Sequence, residues 1–123
     1  ESGLVPPPDM IHYAVTKSAQ LTIARALAQL TKGSGVTVNT VLPGPTRSEG
    51  IGDFLKSVAS DPSLSPEAIE AEFFRVHRPL SLIQRMIEPD EIAAMVAYLA
   101  SPLAAATNGA ALRVEGGIVP TIA

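Results

Sequence analysis

At 123 residues, with 46% hydrophobic and 17% charged residues and a formal net charge of -3, the chain is long enough for one packed core and too short for two domains. The absence of cysteine excludes a disulfide framework, a thiol nucleophile and a thiolate metal site and fits a cytoplasmic protein, while two separated histidines, His12 and His77, are too few for a metal centre. No apolar run reaches the roughly 20 residues that span a bilayer, so a globular segment with no metal, no membrane and no nucleic-acid partner is expected.

Glu1-Ser2-Gly3-Leu4-Val5 offers no Met, no basic n-region and no long apolar run, so the beginning reads as a chain cut within a longer protein. Pro6 to Pro8 make a rigid extended lead, Asp9 is placed to cap a helix, and the Ala-, Leu-, Ile- and Gln-rich stretch from about Met10 to Thr31 predicts that helix. Gly33 and Gly35 stop it. Ile23, Leu27 and Leu30 supply its apolar stripe, and Ala14, Ser18, Ala19, Thr22 and Ala26 are small enough for close approach of another helix, which makes that side a core or intersubunit seam.

Tyr13 and Lys17 carry the chemistry of this helix. At i and i+4 their Cβ atoms lie about 5 to 6 Å apart on one face, so a phenol and an ammonium can serve one reacting atom. A free tyrosine ionises near pH ~10, too high for easy proton exchange at neutral pH. A cation about 4 Å away interacts with a phenolate by about 4 kcal/mol in an environment of intermediate dielectric, enough to bring such exchange within reach. Between Asp9 and Glu49 there is no acidic residue, whereas Lys17, Arg25, Lys32 and Arg47 all fall there. This basic segment suits an anionic ligand, unless acids from elsewhere in the fold pair with it.

The β-branched run Val36 to Leu42 predicts a strand at 36–42, and a helix followed by a strand suggests a parallel sheet. Pro43-Gly44-Pro45-Thr46 interrupts it, since proline lacks the ladder donor, and ligands in open α/β sheets sit beyond such carboxyl ends. Residues 47–88 form a long excursion, a mobile lid or pocket wall, with one short helix from Pro66 to about Val76 capped by Ser65 and faced by Ile69, Phe73 and Val76. Pro89-Asp90-Glu91 opens a further helix to Leu99, with Ile92, Met95, Val96 and Leu99 in period. Asn108-Gly109 turns the chain into a second strand, Ala110 to Glu115, stopped by Gly116-Gly117.

Tyr13-x-x-x-Lys17, then Val38-Asn39-Thr40-Val41-Leu42-Pro43-Gly44-Pro45-Thr46, then Leu112-Arg113-Val114-Glu115-Gly116-Gly117, taken in this order, resemble the short-chain dehydrogenase/reductase family. The resemblance covers nearly the whole chain. It implies an α/β fold, the C-terminal half of a doubly wound parallel-sheet Rossmann domain spanning 1–123, with the N-terminal half and its Gly-rich dinucleotide loop preceding residue 1. It implies an NAD(P)-dependent enzyme that interconverts a carbonyl and an alcohol of a small molecule and assembles as a homodimer or homotetramer.

Under the same resemblance Tyr13 is the catalytic acid/base, and Lys17 stabilises its phenolate and binds the nicotinamide ribose. Pro43 and Gly44 form the wall beside the nicotinamide ring, Thr46 meets its carboxamide through the backbone, and Ser48 reaches the cofactor phosphate. The family's carbonyl-polarising serine lies about a dozen or slightly more positions before the tyrosine. Ser2, eleven before Tyr13, is the one candidate in the chain, and its short spacing puts the family serine just upstream of it. The family's helix asparagine is missing, and Asn39, on the strand, is structural. His12 points about 100° away from Tyr13; His77 and Arg78 lie near the lid, where a solvated surface role is expected and contact with a substrate is the alternative, and Arg47 has a phosphate contact as its alternative without deciding NADP over NAD. NAD and NADP both remain open, and the substrate is unspecified. A fragment that only oligomerises and a non-catalytic dinucleotide-binding relative are the alternatives.

Overall fold

The computed structural model describes residues 1–122. Pro7 is extended at φ -74° and ψ 141°, but Pro8 already opens a 3-10 turn, Pro8–Met10, that runs directly into helix α1, Ile11–Leu30, so the expected extended lead of Pro6 to Pro8 stops one residue early. Asp9 therefore lies inside the turn rather than at the cap; the cap position falls on Met10, whose side chain makes no capping bond. At the other end the Thr31 N–H and hydroxyl both donate to the Ala28 carbonyl, and Gly33 follows at φ 76°, where only glycine is at ease.

Strand β1 is Thr40–Pro43 and strand β2 is Ala111–Val114, paired in parallel with Thr40 opposite Ala111 and Pro43 opposite Val114. Both are shorter than their sequences suggested. Asparagine side chains take over where the ladder would have begun: the Val38 N–H donates to Asn108 Oδ1 (2.9 Å), the Ala110 N–H to Asn39 Oδ1 (3.1 Å), and Asn39 Nδ2 to the Thr107 carbonyl (2.8 Å). Asn39 thus sits just before β1, not on it, and clamps the entrances of both strands.

The prolines do not end the pairing outright. Gly44 N–H reaches the Val114 carbonyl, the Pro45 carbonyl accepts from Ile87 N–H, and Arg47 N–H donates to the Ile87 carbonyl, giving a parallel bridge between Thr46 and Ile87. A proline loses its donor but keeps its acceptor, and this extension uses only the groups that remain.

Helices α2, Ile51–Val58, α3, Pro66–His77, and α4, Pro89–Leu99, complete the architecture, followed by a 3-10 turn at Pro102–Ala104. Helix α2 was not anticipated. Ser65 caps α3 by accepting from the Ala68 N–H at 3.2 Å, and Glu88 with Glu91 forms a reciprocal capping box at the start of α4. The tightest core lies within the 47–88 excursion: Leu55, Ile69, Phe73, Phe74 and Met86 are buried together, with Ile51 and Val58 packed against them. Phe73 meets Phe74 edge to face at 5.3 Å and Phe54 at 6.1 Å. Burial of such side chains contributes about 1.5 to 3 kcal/mol each.

Helix α1 contrasts with this core. It buries only Ala14 and Ala28, while the stripe of Ile23, Leu27 and Leu30 stands 58%, 47% and 82% exposed. Helix α4 lies beside both strands yet buries no residue fully. Among the described residues no helix is long and apolar enough to cross a membrane, and no group of His, Cys, Asp and Glu could hold a metal.

Candidate active site

A cavity of about 390 Å³ runs along β1 to its carboxyl end and the Gly44-Pro45 exit, between that strand, the first turns of α1 and the wall built by α2 and α3. Tyr13 enters it from the first turn of α1 and Lys17 from the next, as their spacing requires. Lys17 Nζ stands over the Tyr13 ring, 5.2 Å from its centroid, a cation–π contact that keeps the ammonium beside the phenol. Among the described residues Lys17 forms no ion pair, so its donors remain available to a ligand. Ser18 hydroxyl donates to the Gly3 carbonyl at 2.9 Å and ties the entering segment to α1, which brings the buried Ser2 to the same cavity.

Pro43 and Gly44 form the strand-end side. A Cβ on Gly44 would lie 2.7 Å from the Glu115 carbonyl oxygen and 2.8 Å from its Cα, so the residue must be glycine for β1 to pass this closely over the end of β2. That end is itself fixed. Gly116 and Gly117 turn at φ 69° and 74°, and the buried Glu115 carboxylate accepts from the Ile118 and Val119 N–H groups inside the turn, with Arg113 Nε 3.5 Å away. The separate sequence landmarks at 43–44 and 115–117 are thus one packed unit.

Ser2, Tyr13, Lys17, Pro43 and Gly44 meet on one cavity; Thr46 and Ser48 do not line it. Thr46 hydroxyl donates to the Gly44 carbonyl at 2.8 Å, and the Ser48 carbonyl accepts from Ile51 N–H, so both shape the chain that leaves the cavity. Arg47 between them turns away. Its Nε donates to Glu88 at 2.9 Å and its Nη2 to Glu70 at 3.0 Å, and these bonds, that to Glu88 first, hold its guanidinium above its ordinary pKa. Acids from α3 and the α4 cap therefore neutralise this base, whereas Arg25 and Lys32, like Lys17, form no ion pair among the described residues. Glu70 also accepts from the Met86 N–H at 2.9 Å, tying α3, the strand exit and the Met86 segment together.

Two charged cavity residues, Glu1 and Arg78, were not among the site residues expected from the sequence, where Arg78 was placed on the surface with substrate contact as the alternative. Arg78 lines the cavity with its guanidinium 5.5 Å from the Phe73 ring and Nε 2.8 Å from Glu1 Oε1. Nothing local in sequence signals a contact between the two ends of so long a stretch. Phe54, Ile51 and Met86 complete the apolar wall, and the helical period of Ile51, Phe54, Leu55 and Val58 was the signal available for α2. His12 is exposed and lies off the cavity, and His77 stacks obliquely on Phe73 at 5.7 Å.

A family model described as enoyl-(acyl carrier protein) reductase matches residues 2–119. The chain is 48% identical over 122 residues to the uncharacterized oxidoreductase YvaG of Bacillus subtilis (strain 168), covering 99% of this chain and 46% of that protein. Among solved structures, a variant actinorhodin polyketide ketoreductase with NADPH aligns with TM-score 0.77 and 28% identity over 96% of this chain and 44% of that one. A short-chain oxidoreductase of Pseudomonas aeruginosa PAO1 with an atypical catalytic centre aligns with TM-score 0.84 and 27% identity, over 98% and 45%. The chain spans about half the length of the curated relatives it matches. Its two parallel strands and flanking helices are part of a Rossmann-type α/β fold.

Proposed function

The chain belongs to the short-chain dehydrogenase/reductase family, and on that premise we propose that the whole protein is an NAD(P)-dependent oxidoreductase interconverting a carbonyl and an alcohol. The observation that carries this reading is the convergence of Tyr13, Lys17 and Pro43-Gly44, from a helix start and a strand end, on one cavity. Its donor set fits a nicotinamide dinucleotide: an unpaired ammonium with three donors for ribose hydroxyls, and a flat proline–glycine wall for an aromatic ring.

A bound nicotinamide would supply the hydride that adds to the carbonyl carbon, or accept it in the reverse direction. Tyr13 Oη gives its proton to the carbonyl oxygen as that carbon is reduced, and takes a proton from the hydroxyl in oxidation. Lys17 supports the phenolate and holds the ribose. Thr46 and Ser48, outside the cavity lining on the chain leaving β1, would meet the carboxamide (through the Thr46 backbone) and the phosphate only where a bound cofactor extends past the strand end; Ser2 lies beside the position that polarises the carbonyl. Residues 47–88 act as lid and pocket wall, and the apolar side chains of Ile51, Phe54, Phe73 and Met86 suit a medium-sized carbonyl compound. The relative solved with NADPH supports NADP as one cofactor, with NAD the other.

The reading includes a homodimer or homotetramer, with the exposed stripe of Ile23, Leu27 and Leu30 as a face on which a second copy, or the rest of the protein, would pack. Light scattering of the whole protein tests it, and a strictly monomeric mass would remove it. The activity itself is tested by following NADH and NADPH oxidation with a panel of ketones. We expect turnover from the whole protein and none from the 123-residue chain alone, which holds only part of the cofactor cradle. Near-native turnover from the short chain would overturn that division of labour.

A further inference from the structure

We infer that Glu70 is a positioning residue for the substrate: its carboxylate holds the Phe73 and Met86 wall of the cavity where it can grip a ketone presented to Tyr13. The inference rests on the oxidoreductase reading above and adds a residue that sets substrate affinity at the same cavity.

Glu70 lies on α3 one turn before Phe73 and does not itself line the cavity. Its two carboxylate oxygens reach different parts of the fold. Oε1 accepts from the Met86 N–H at 2.9 Å, and Oε2 accepts from Arg47 Nη2 at 3.0 Å. Arg47 belongs to the chain leaving β1, where its N–H donates to the Ile87 carbonyl, and its Nε donates to Glu88, the N-cap of α4. One carboxylate therefore ties the helix that carries Phe73 both to the segment that carries Met86 and to the strand exit. Phe73 and Met86 line the cavity that Tyr13 and Lys17 enter from α1. The Glu70 side chain is 18% exposed against 46% for Arg47 and 51% for Glu88, so it is the sheltered centre of this network, where salt screens least.

The apolar cluster of Leu55, Ile69, Phe73, Phe74 and Met86 holds the wall together, but burial is non-directional and sets no register between α3 and the strand exit. The two aligned bonds of Glu70 set it. Met86 is fully buried, so its N–H needs this acceptor. The outer charges of the network, Arg85 and Glu91, pair with each other at 2.8 Å at the start of α4 and, among the described residues, make no bond to α3. Without the Arg47 bond, α3 and Phe73 are free to withdraw from the strand exit. Contacts to the ground state and to the transition state then weaken alike, which raises KM and leaves kcat in place.

The test uses a neutral ketone, acetophenone, because Lys17, Arg78 and Glu1 line the same cavity and would respond to a charged one. Its Kd is read by isothermal titration calorimetry on the whole protein loaded with NAD+ or NADP+, which has no hydride to pass, and its kcat and KM with the reduced cofactor. Glu70→Gln keeps an acceptor for the Met86 N–H but gives up the ion pair, and we expect it to raise Kd and KM about five-fold with kcat within about two-fold. Arg47→Gln should do the same, and the double variant no more than either alone, because the two act through one bond. Glu91→Gln removes an equal charge from the same network and should leave Kd and KM unchanged, a split that neither lost stability nor lost charge would produce. An unchanged Kd in Glu70→Gln, an equal rise in Glu91→Gln, additive effects in the double variant, or no acetophenone binding by the unaltered protein overturns the inference. Tyr13→Phe separates it from the reading it rests on: lost turnover there, with an unchanged Kd in Glu70→Gln, removes only the positioning role, and retained turnover, with the rise in Kd present, removes only the catalytic assignment.

Discussion

Gly44 has no room for even one carbon, because the Glu115 backbone occupies the place a Cβ would take. Gly44→Ala must push β1 away from the end of β2 and shift Pro43, so we expect a loss of about 1 to 3 kcal/mol, read as a lowered unfolding midpoint of the whole protein; an unchanged midpoint would show that the strands yield freely. At this scale the sequence was informative where partners are near neighbours along the chain. Tyr13 and Lys17 meet because an α-helix brings i and i+4 together, and the structure sets the ammonium over the ring. Glu1 and Arg78 could not be paired in advance, since their contact depends on α3 ending where the entering segment passes. Thr46 and Ser48 sit close in sequence to Gly44, but the chain bends into the bridge with Ile87 and carries them off the cavity lining.

At the scale of elements, chain chemistry marked helices with strong end signals and missed the one without. Ser65 and Pro66 announced α3, and Pro89-Asp90-Glu91 announced α4. Helix α2 starts after Gly50 at φ 79° with no side-chain cap, and its two turns were absorbed into the apparent loop. Its side chains nevertheless close the core around Phe74, which is 1% exposed. Phe74→Ala should cost about 3 to 5 kcal/mol, measured by denaturant unfolding. A loss below about 1 kcal/mol would mean that this wall is not packed as described.

Helix α4 offers a pH test. The Glu91 carboxyl is held down at about 2 from an ordinary 4.5, first by its hydrogen bonds from Arg85 and then by the Glu88 N–H. Its folded value lies below the unfolded one, so the unfolded chain binds the proton more readily. The stabilisation is complete above pH 4.5 and is lost as pH falls toward about 2. We expect Glu91→Gln to flatten the unfolding midpoint across this window relative to the unaltered protein; parallel pH curves would contradict it. The strands illustrate the opposite limit of legibility, because the β-branched residues 36–38 suit a strand but the Asn108 side chain takes the Val38 N–H and the Asn39 side chain takes the Ala110 N–H where ladder bonds would have formed.

Over the whole molecule, the best packed region and the most chemically suggestive region are neighbours but not the same. The core of Leu55, Ile69, Phe73, Phe74 and Met86 supports one cavity wall, while α1, which carries Tyr13 and Lys17, buries almost nothing along its length. Its apolar stripe is therefore the surface on which we expect further parts of the protein, or a second copy, to pack. Alanine at Ile23 and Leu27 together should lower the oligomer mass seen by light scattering, and an unchanged assembly would place the interface elsewhere. The parallel sheet was legible from helix–strand alternation, but the exposure of α1 was not, because periodicity gives a face without saying what covers it. The most direct measurement is the turnover of Tyr13→Phe in the whole protein, with NADH or NADPH and a ketone the unaltered protein reduces. Loss of the phenolic proton donor should lower kcat by about 100- to 10,000-fold with cofactor binding retained, whereas turnover equal to that of the unaltered protein would contradict the assignment of Tyr13 as its acid and base.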